Sequence, residues 1–258
     1  MFDRFIGIDY SGAETPTSRL PGLRIYMAER EGIPIEVRPT PQPTPHWTRR
    51  ELAAWLDERL EDGAPTIVGI DHGFSFPTRY FERHGLRHDW TAFLGDFCRH
   101  WPTDGAHVYV DFVRDGRVGR GWERAGEPRW KRLTEIRARS AKSVFQFEGQ
   151  GTVAKSTHAG LPWLARMRER HAGRVHFWPF DGWTPPPGRS VVAEVYPSLW
   201  NREWPRGERT TDQHDAWSAA EWMRRADRLG ALSEYFMPEL SAQDKNTAAI
   251  EGWILGLR

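Results

Sequence analysis

Two apolar runs in the chain end in nearly the same four residues, IGID at 6–9 and VGID within PTIVGID at 65–71. The second run is apolar almost without interruption, as in a strand that is covered on both faces of a sheet. Between the two runs, Thr48 and Glu51 have the spacing of a capping box and predict a helix over 49–61. A helix followed by a buried strand indicates a crossover connection, so we expect an α/β fold.

The other extended segments complete a mixed sheet that is flanked by helices. The stretches 23–29 and 33–39 predict a hairpin, which with a first strand at 4–10 makes a three-stranded antiparallel meander. Proline-rich residues 39–45 predict a polyproline II connection on the surface. Further predicted elements are strands at 174–180 and 190–197, a helix from Thr210, with Gln213 in the capping-box position, to about Leu229, and a short helix that ends near Leu257.

Length and composition indicate one domain over 1–258 with an insertion at about 78–172. Within the insertion we expect a helix near 89–100, a strand near 107–113 and a helix near 162–171. Apolar residues make up 39% of the chain and charged residues 28%, as in ordinary globular proteins. The single cysteine, Cys98, excludes a disulfide framework and a cysteine-rich zinc site. No apolar stretch is long enough for a membrane span, and we expect a cytoplasmic protein.

Three acidic residues lie at or near the ends of predicted strands. Asp9 and Asp71 each end an apolar run, and the carboxyl ends of parallel strands are where α/β sheets bind ligands. Glu194 interrupts VVAEVY, where a buried carboxylate needs a cation or another partner. The alternatives are that the aspartates cap turns and that Glu194 forms a structural ion pair with an arginine.

Two more acids, Asp212 and Asp215, are three residues apart on the predicted helix from Thr210 and therefore share a face. The small residues Ala216 and Ala219 predict that this face packs on the sheet, which would direct the acids toward the strand ends. Compensation of charge at the helix N-terminus is the alternative. Clustered carboxylates without sulfur ligands suit Mg²⁺ or Mn²⁺, and two such ions can hydrolyse a phosphodiester.

The segments that carry these acids also resemble a known family. IGIDYSGA, IVGIDHGFSFP, VVAEVYPSLW, DQHDAWSAAEW and IEGWILG are similar to segments of the domain of unknown function 429 family. That family is regarded as having a ribonuclease H-like fold and as a predicted nuclease. The resemblance implies that Asp9, Asp71, Glu194 and Asp215 are catalytic metal ligands, whereas Asp212 is added as a metal ligand from its spacing alone.

The net charge of the chain is only +1, so bulk charge does not indicate a nucleic-acid partner. The local distribution of charge is the reason to expect one. Residues 114–142 contain ten basic side chains and four acidic ones, a density that suits contact with a phosphate backbone. Trp122 and Trp130 in this segment could stack on unpaired bases. The alternative is a solvated, salt-bridged face with both tryptophans used in packing.

Two rival functions remain open at this stage. An ATP-binding protein of the actin-like or sugar-kinase-like kind also begins with a strand that ends in Gly-x-Asp, but such proteins need two copies of the fold. The stretch GQGTVAKS resembles a phosphate-binding loop in which Ala154 replaces the second glycine and Lys155 is kept. The other rival is a catalytically silent scaffold that uses the Arg-rich insertion to hold nucleic acid or protein.

Overall fold

Six strands form one mixed sheet in the order β3-β2-β1-β4-β6-β5. The computed structural model describes residues 2–40, 45–149 and 151–258. The strands are β1 (Arg4–Asp9), β2 (Arg24–Glu29), β3 (Ile35–Glu36), β4 (Thr66–Asp71), β5 (Val175–Phe177) and β6 (Ser190–Glu194). β1, β2 and β3 pair antiparallel as a meander, and β1, β4, β6 and β5 pair parallel. The predicted α/β class with a mixed sheet is confirmed.

Helices flank this sheet. Those in the described residues are α1 (Arg49–Glu61), α2 (Thr78–Arg83), α3 (Trp90–His100), α4 (Val110–Arg114), α5 (Leu133–Arg137), α6 (Ala154–Arg170), α7 (Thr211–Arg228), α8 (Leu232–Tyr235) and α9 (Ala242–Glu251). Both predicted capping boxes are present, with Thr48 Oγ1 accepting from the Glu51 backbone and Thr210 Oγ1 from the Gln213 backbone. In the part of the chain that is described, no helix is both long and apolar enough to cross a membrane.

The predicted strand near 107–113 is wrong, because α4 occupies part of that stretch. Its aromatic and β-branched residues have strand propensity, but Val110 and Val113 are three apart and both are fully buried, which suits one face of a helical turn. The helix predicted near 162–171 begins earlier, at Ala154, and carries Pro162 in its interior.

The C-terminal helix also differs from the prediction, because it ends at Glu251 rather than near Leu257. Gly252 follows it with a φ of 81°, a conformation that suits glycine, and Ile254 then forms a parallel bridge with Glu194. In the predicted polyproline segment 39–45, residues 41–44 lie outside the described residues.

The sheet separates two apolar cores because side chains alternate along each strand. Ile6 and Ile8 of β1 pack into a core shared with α1, α3 and α6, whereas Phe5 packs into a core shared with α7, α8 and the C-terminal residues. Gly7 lies on the α7 face, where an added Cβ would stand 2.1 Å from the carbonyl oxygen of Ala216. Helix α7 therefore lies directly against β1, and Asp9, two residues beyond Gly7, ends β1 on the same face.

Candidate functional site

A pocket of about 500 Å³ opens at the carboxyl ends of β1, β4 and β6. All five acids predicted from the sequence line it: Asp9, Asp71, Glu194, Asp212 and Asp215. Lys142, Thr152, Lys155 and Ser156 also line it, the last two from the first turn of α6. The pocket therefore combines acidic residues from the sheet and α7 with basic and hydroxyl side chains from the segment that leads into α6.

Asp9 and Asp71 are neighbours across the sheet. They end β1 and β4, which are parallel, and are paired with each other in the strand register. Each aspartate lies two residues after a glycine that faces α7, which is Gly7 in β1 and Gly69 in β4. The shared Gly-x-Asp pattern thus has a local physical cause: the glycine admits the helix, and the aspartate ends the strand on the same face as that helix.

Asp212 and Asp215 come from the first two turns of α7. The Asp215 carboxylate accepts a hydrogen bond of 2.7 Å from Nδ2 of Asn201, a residue of the short 3₁₀ turn Asn201–Glu203. The same turn is held to α7 through Asn201, whose backbone carbonyl is 2.7 Å from Nε2 of His214. Asn201 was not predicted from the sequence, because nothing in its own segment signals that the turn folds back on α7.

Burial raises the pKa of each of these four aspartates, and repulsion from other carboxylates adds to the effect for Asp9, Asp71 and Asp215. For Asp9 the added charges are those of Asp71, Asp212 and Asp215, so its pKa stands well above the ordinary value. The pKa of Asp71 is also raised well above the ordinary value, by burial and then by the charges of Asp215 and Glu194. The pKa values of Asp212 and Asp215 are raised by burial as well. The group therefore resists carrying its full negative charge without a neutralising cation.

Arg24 on β2 lies directly across from Asp9 in the register of the sheet. Its charge lowers the pKa of both Asp9 and Asp212 and so partly offsets the effect of burial. Its guanidinium also pairs with Glu36 at 3.0 Å, which divides its charge between two partners. The sequence gives Arg24 no signal of its own, since its place depends on the register of the hairpin.

Glu194 is held differently from the aspartates. In the register of β6 it lies beside Ile70, whose side chain belongs to the core on the α1 face and not the α7 face. The Arg132 guanidinium bonds both of its oxygens, at 2.6 and 2.8 Å, and the Phe74 backbone donates a third hydrogen bond at 3.1 Å. This is the ion pair with an arginine that the sequence left open, and metal ligation by Glu194 stays a prediction.

The carboxylates converge on the pocket without forming a ready-made metal site. In residues 2–40, 45–149 and 151–258, no group of three or more His, Cys, Asp or Glu side chains is arranged so that it could hold a metal ion. The donors suit a hard divalent cation in chemical type, because they are carboxylate oxygens without sulfur.

Lys155, the lysine of GQGTVAKS, already has partners in the protein. Its Nζ is 2.6 Å from a carboxylate oxygen of Asp111 and 3.0 Å from the hydroxyl of Tyr109. The ion pair raises the pKa of Lys155, so the side chain stays charged beside the pocket. A phosphate group that used this lysine would compete with Asp111 for it.

The basic segment 114–142 is largely neutralised by carboxylates of the same chain. Seven of its ten basic side chains form ion pairs: Arg114, Arg117, Arg120, Arg124, Arg129, Arg132 and Arg137. Trp130 is buried and packs edge-on against Phe145, whereas Trp122 is 64% exposed. Ion pairs therefore involve most of the basic side chains of the segment, Trp122 stays exposed, and a nucleic-acid partner stays a prediction.

The chain was compared with protein families, curated proteins and solved structures. No protein family, no curated protein and no solved structure matches it.

Proposed function

We propose that this chain is a divalent-metal-dependent phosphodiester hydrolase of the nuclease kind. The observation that carries the proposal is the convergence of Asp9, Asp71, Asp212 and Asp215 on one pocket. Burial raises all four pKa values, and repulsion between carboxylates raises those of Asp9 and Asp71 further. A bound cation stabilises the ionised form of buried carboxylates whose pKa values are raised in this way. Mg²⁺ or Mn²⁺ is the class of ion that their oxygen donors suit.

In this proposal the four aspartates hold the ion, and Glu194 is tied to Arg132 beside them. The metal supplies activation of water and stabilisation of the leaving oxygen when it is bound. Asn201 holds one oxygen of Asp215, which leaves the other oxygen for the ion. Lys142 and Lys155 line the same pocket and would attract the phosphate of the substrate.

A ribonuclease H-like identity of the fold belongs to the same proposal. Its support is the antiparallel meander β3-β2-β1 joined to parallel strands, together with acids at the ends of β1 and β4 and on α7. These are the positions that the sequence resemblance assigns to Asp9, Asp71 and Asp215. Fold likeness alone does not determine the reaction, so the chemistry rests on the pocket.

The test compares the wild-type protein with Asp71→Asn, in which one carboxylate becomes a neutral amide of the same shape. Calorimetric titration with Mn²⁺ and hydrolysis of bis(p-nitrophenyl) phosphate are measured with Mn²⁺, with Mg²⁺ and with chelator. We expect metal-dependent hydrolysis in the wild type, a loss of about 100-fold or more in the variant, and weaker Mn²⁺ binding.

Asp3→Asn is the matched control, because Asp3 is an exposed aspartate near the opposite end of β1 that pairs only with Arg30 among the ion pairs of the described residues. It should leave binding and hydrolysis within about twofold of the wild type. Wild-type and Asp71→Asn proteins that bind Mn²⁺ equally and are equally inactive would leave the silent scaffold as the better account.

The ATP-binding alternative has less support from the pocket. Lys155 is paired with Asp111, and Ala154 stands where a phosphate loop requires glycine. Calorimetry with MgATP separates the two proposals, since tight ATP binding that survives Asp71→Asn would favour the alternative.

A further inference from the structure

We infer that the substrate is a small phosphodiester of one or two nucleotides rather than the backbone of a long duplex. The inference rests on the proposed hydrolase function and names its substrate class. Three features of the described residues carry it: the size of the pocket, the pairing of the basic segment, and the small number of basic, hydroxyl and aromatic side chains that line the pocket.

The pocket has the dimensions of a small-molecule site. Its volume of about 500 Å³ falls in the range of ~300–1,000 Å³ that is typical of such sites. Asp9 and Asp71 are partly buried at the strand ends, and Ser11, Gly12 and Thr152 also line the pocket. A duplex carries its phosphates on the outside of a wide cylinder, so we expect a small phosphodiester to reach these carboxylates more readily than a duplex backbone does.

The electrostatics also disfavour a long polymer. Proteins that hold duplexes neutralise many phosphates with Lys and Arg, and their affinity falls steeply with salt. Here most basic side chains of the segment 114–142 form ion pairs within the chain. Examples are Arg124 with Asp96 at 2.7 Å and Arg137 with Asp244 at 3.0 Å. A polymer would have to break such pairs and leave their carboxylates facing its own phosphates.

The side chains that line the pocket suit one phosphate and one base. Lys142 and Lys155 line it, with the hydroxyls of Thr152 and Ser156 nearby. Two aromatic rings line the pocket in the described residues, and of these Tyr10 is 8% exposed whereas Tyr196 is more accessible. One accessible ring provides for stacking of a single base and not of a run of bases.

The test measures kcat/KM in Mn²⁺ for a 5′-phosphorylated dinucleotide, a 20-nucleotide single strand and a 20-base-pair duplex, at 50 and 200 mM salt. Equilibrium binding of the same three probes is measured in Ca²⁺. We expect the dinucleotide to exceed the duplex at least tenfold in kcat/KM per bond and to lose less than about threefold between the two salt concentrations. A protein with six to ten phosphate contacts would lose about 10³–10⁵-fold in affinity over that range.

Variants locate the contacts. Lys142→Ala, in the pocket, should lower kcat/KM for the dinucleotide at least fivefold, whereas Arg129→Ala and Arg117→Ala, in the exposed part of the basic segment, should change no probe more than twofold. Preference for the duplex, a steep salt dependence, or a tenfold loss in Arg129→Ala would overturn the inference.

Failure of the hydrolase proposal looks different: no probe is cleaved by the wild type, while the binding measurements still rank dinucleotide against duplex. Absence of dinucleotide binding in that case would overturn the inference as well.

Discussion

At the scale of single residues, Asp71 gives the clearest dependence on pH. Because its pKa is raised in the folded protein, the folded state holds the proton more tightly than the unfolded state. The stability that this proton provides is complete below the ordinary aspartate pKa of about 4 and is lost as pH rises through the raised value. The ionised carboxylate therefore destabilises the metal-free protein near neutral pH.

We predict that Asp71→Asn is more stable than the wild type by about 1–2 kcal/mol at pH 7.5 in chelator, and that the difference shrinks toward zero below about pH 4. The neutral amide avoids both the cost of burial and the repulsion from Asp215. Urea unfolding of the two proteins across this range measures the difference. A difference that stays constant with pH would mean that the charge of Asp71 is not the cause.

Asn201 gives a second prediction, because its amide holds Asp215 at 2.7 Å and lowers the pKa of that carboxyl. In Asn201→Ala we expect Mn²⁺ affinity to fall about 10- to 100-fold and the pH at which Mn²⁺ begins to bind to rise, since a hydrogen bond to a charged group contributes about 1.5–3 kcal/mol. Calorimetric titrations at several pH values measure both effects.

Ser198→Ala is the control for Asn201→Ala, because Ser198 lines the same pocket and is exposed. It should leave the affinity and its pH dependence unchanged. Equal losses in both variants would show that residues 198–201 matter only as a wall of the pocket.

Sequence patterns identified the acids of the pocket but not their partners. Asp9 and Asp71 end apolar runs, and Asp212 and Asp215 share a helix face, so local spacing was enough to predict them. Asn201, Arg24 and Arg132 act through contacts between segments that are distant in the chain. Their places depend on hairpin register and tertiary packing, which one sequence does not specify.

At the scale of elements, the contact of α7 with the sheet depends on two glycines. A Cβ on Gly7 would meet the backbone of α7, 2.1 Å from the Ala216 oxygen and 2.6 Å from the Ala220 nitrogen. A Cβ on Gly69 would instead meet the ends of side chains, Val195 at 2.7 Å and Met223 at 3.0 Å. Backbone cannot yield without moving the whole helix, whereas side-chain ends can turn aside.

We therefore predict that Gly7→Ala lowers the free energy of unfolding by about 3 kcal/mol or more, and Gly69→Ala by about 1–2 kcal/mol. Gly7→Ala should also weaken Mn²⁺ binding more than Gly69→Ala does, because moving α7 displaces Asp212 and Asp215 from Asp9. Denaturant unfolding and calorimetry measure the two effects. Equal losses from the two substitutions would contradict the direct contact of α7 with the β1 backbone.

Elements with a local signal were predicted, and those set by distant contacts were not. The capping boxes at Thr48 and Thr210 place the starts of α1 and α7 correctly, because a cap is made within four residues. Helix α4 has strand propensity, but Val110 and Val113 are buried together on one face of a helical turn. The chain after Glu251 leaves the helix because Ile254 pairs with the end of β6, a contact that local sequence does not reveal.

At the scale of the whole molecule, a buried ionic network joins the predicted insertion to the sheet and the C-terminus. Arg132, 1% exposed, bonds Glu194 at the end of β6, Glu135 in α5 and the carbonyl of Glu251 at the end of α9. The Glu251 carboxylate in turn accepts from the backbone of Leu133 at 2.6 Å. Residues 132–135 are therefore held both to the end of β6 and to the end of α9 by charged groups that have little access to water.

This network makes the single-domain prediction testable. In Arg132→Met the carboxylates of Glu194 and Glu135 lose their buried cation, and removing one partner of a buried pair costs about 3–5 kcal/mol. We expect unfolding to remain one cooperative transition at lower denaturant, with circular dichroism and tryptophan fluorescence giving the same midpoint. Arg129→Met, on the exposed surface, should stay within about 0.5 kcal/mol of the wild type. Separate midpoints for the two signals in the wild type would instead mean that the insertion folds as a domain of its own, and that the Arg132 network does not couple it to the sheet.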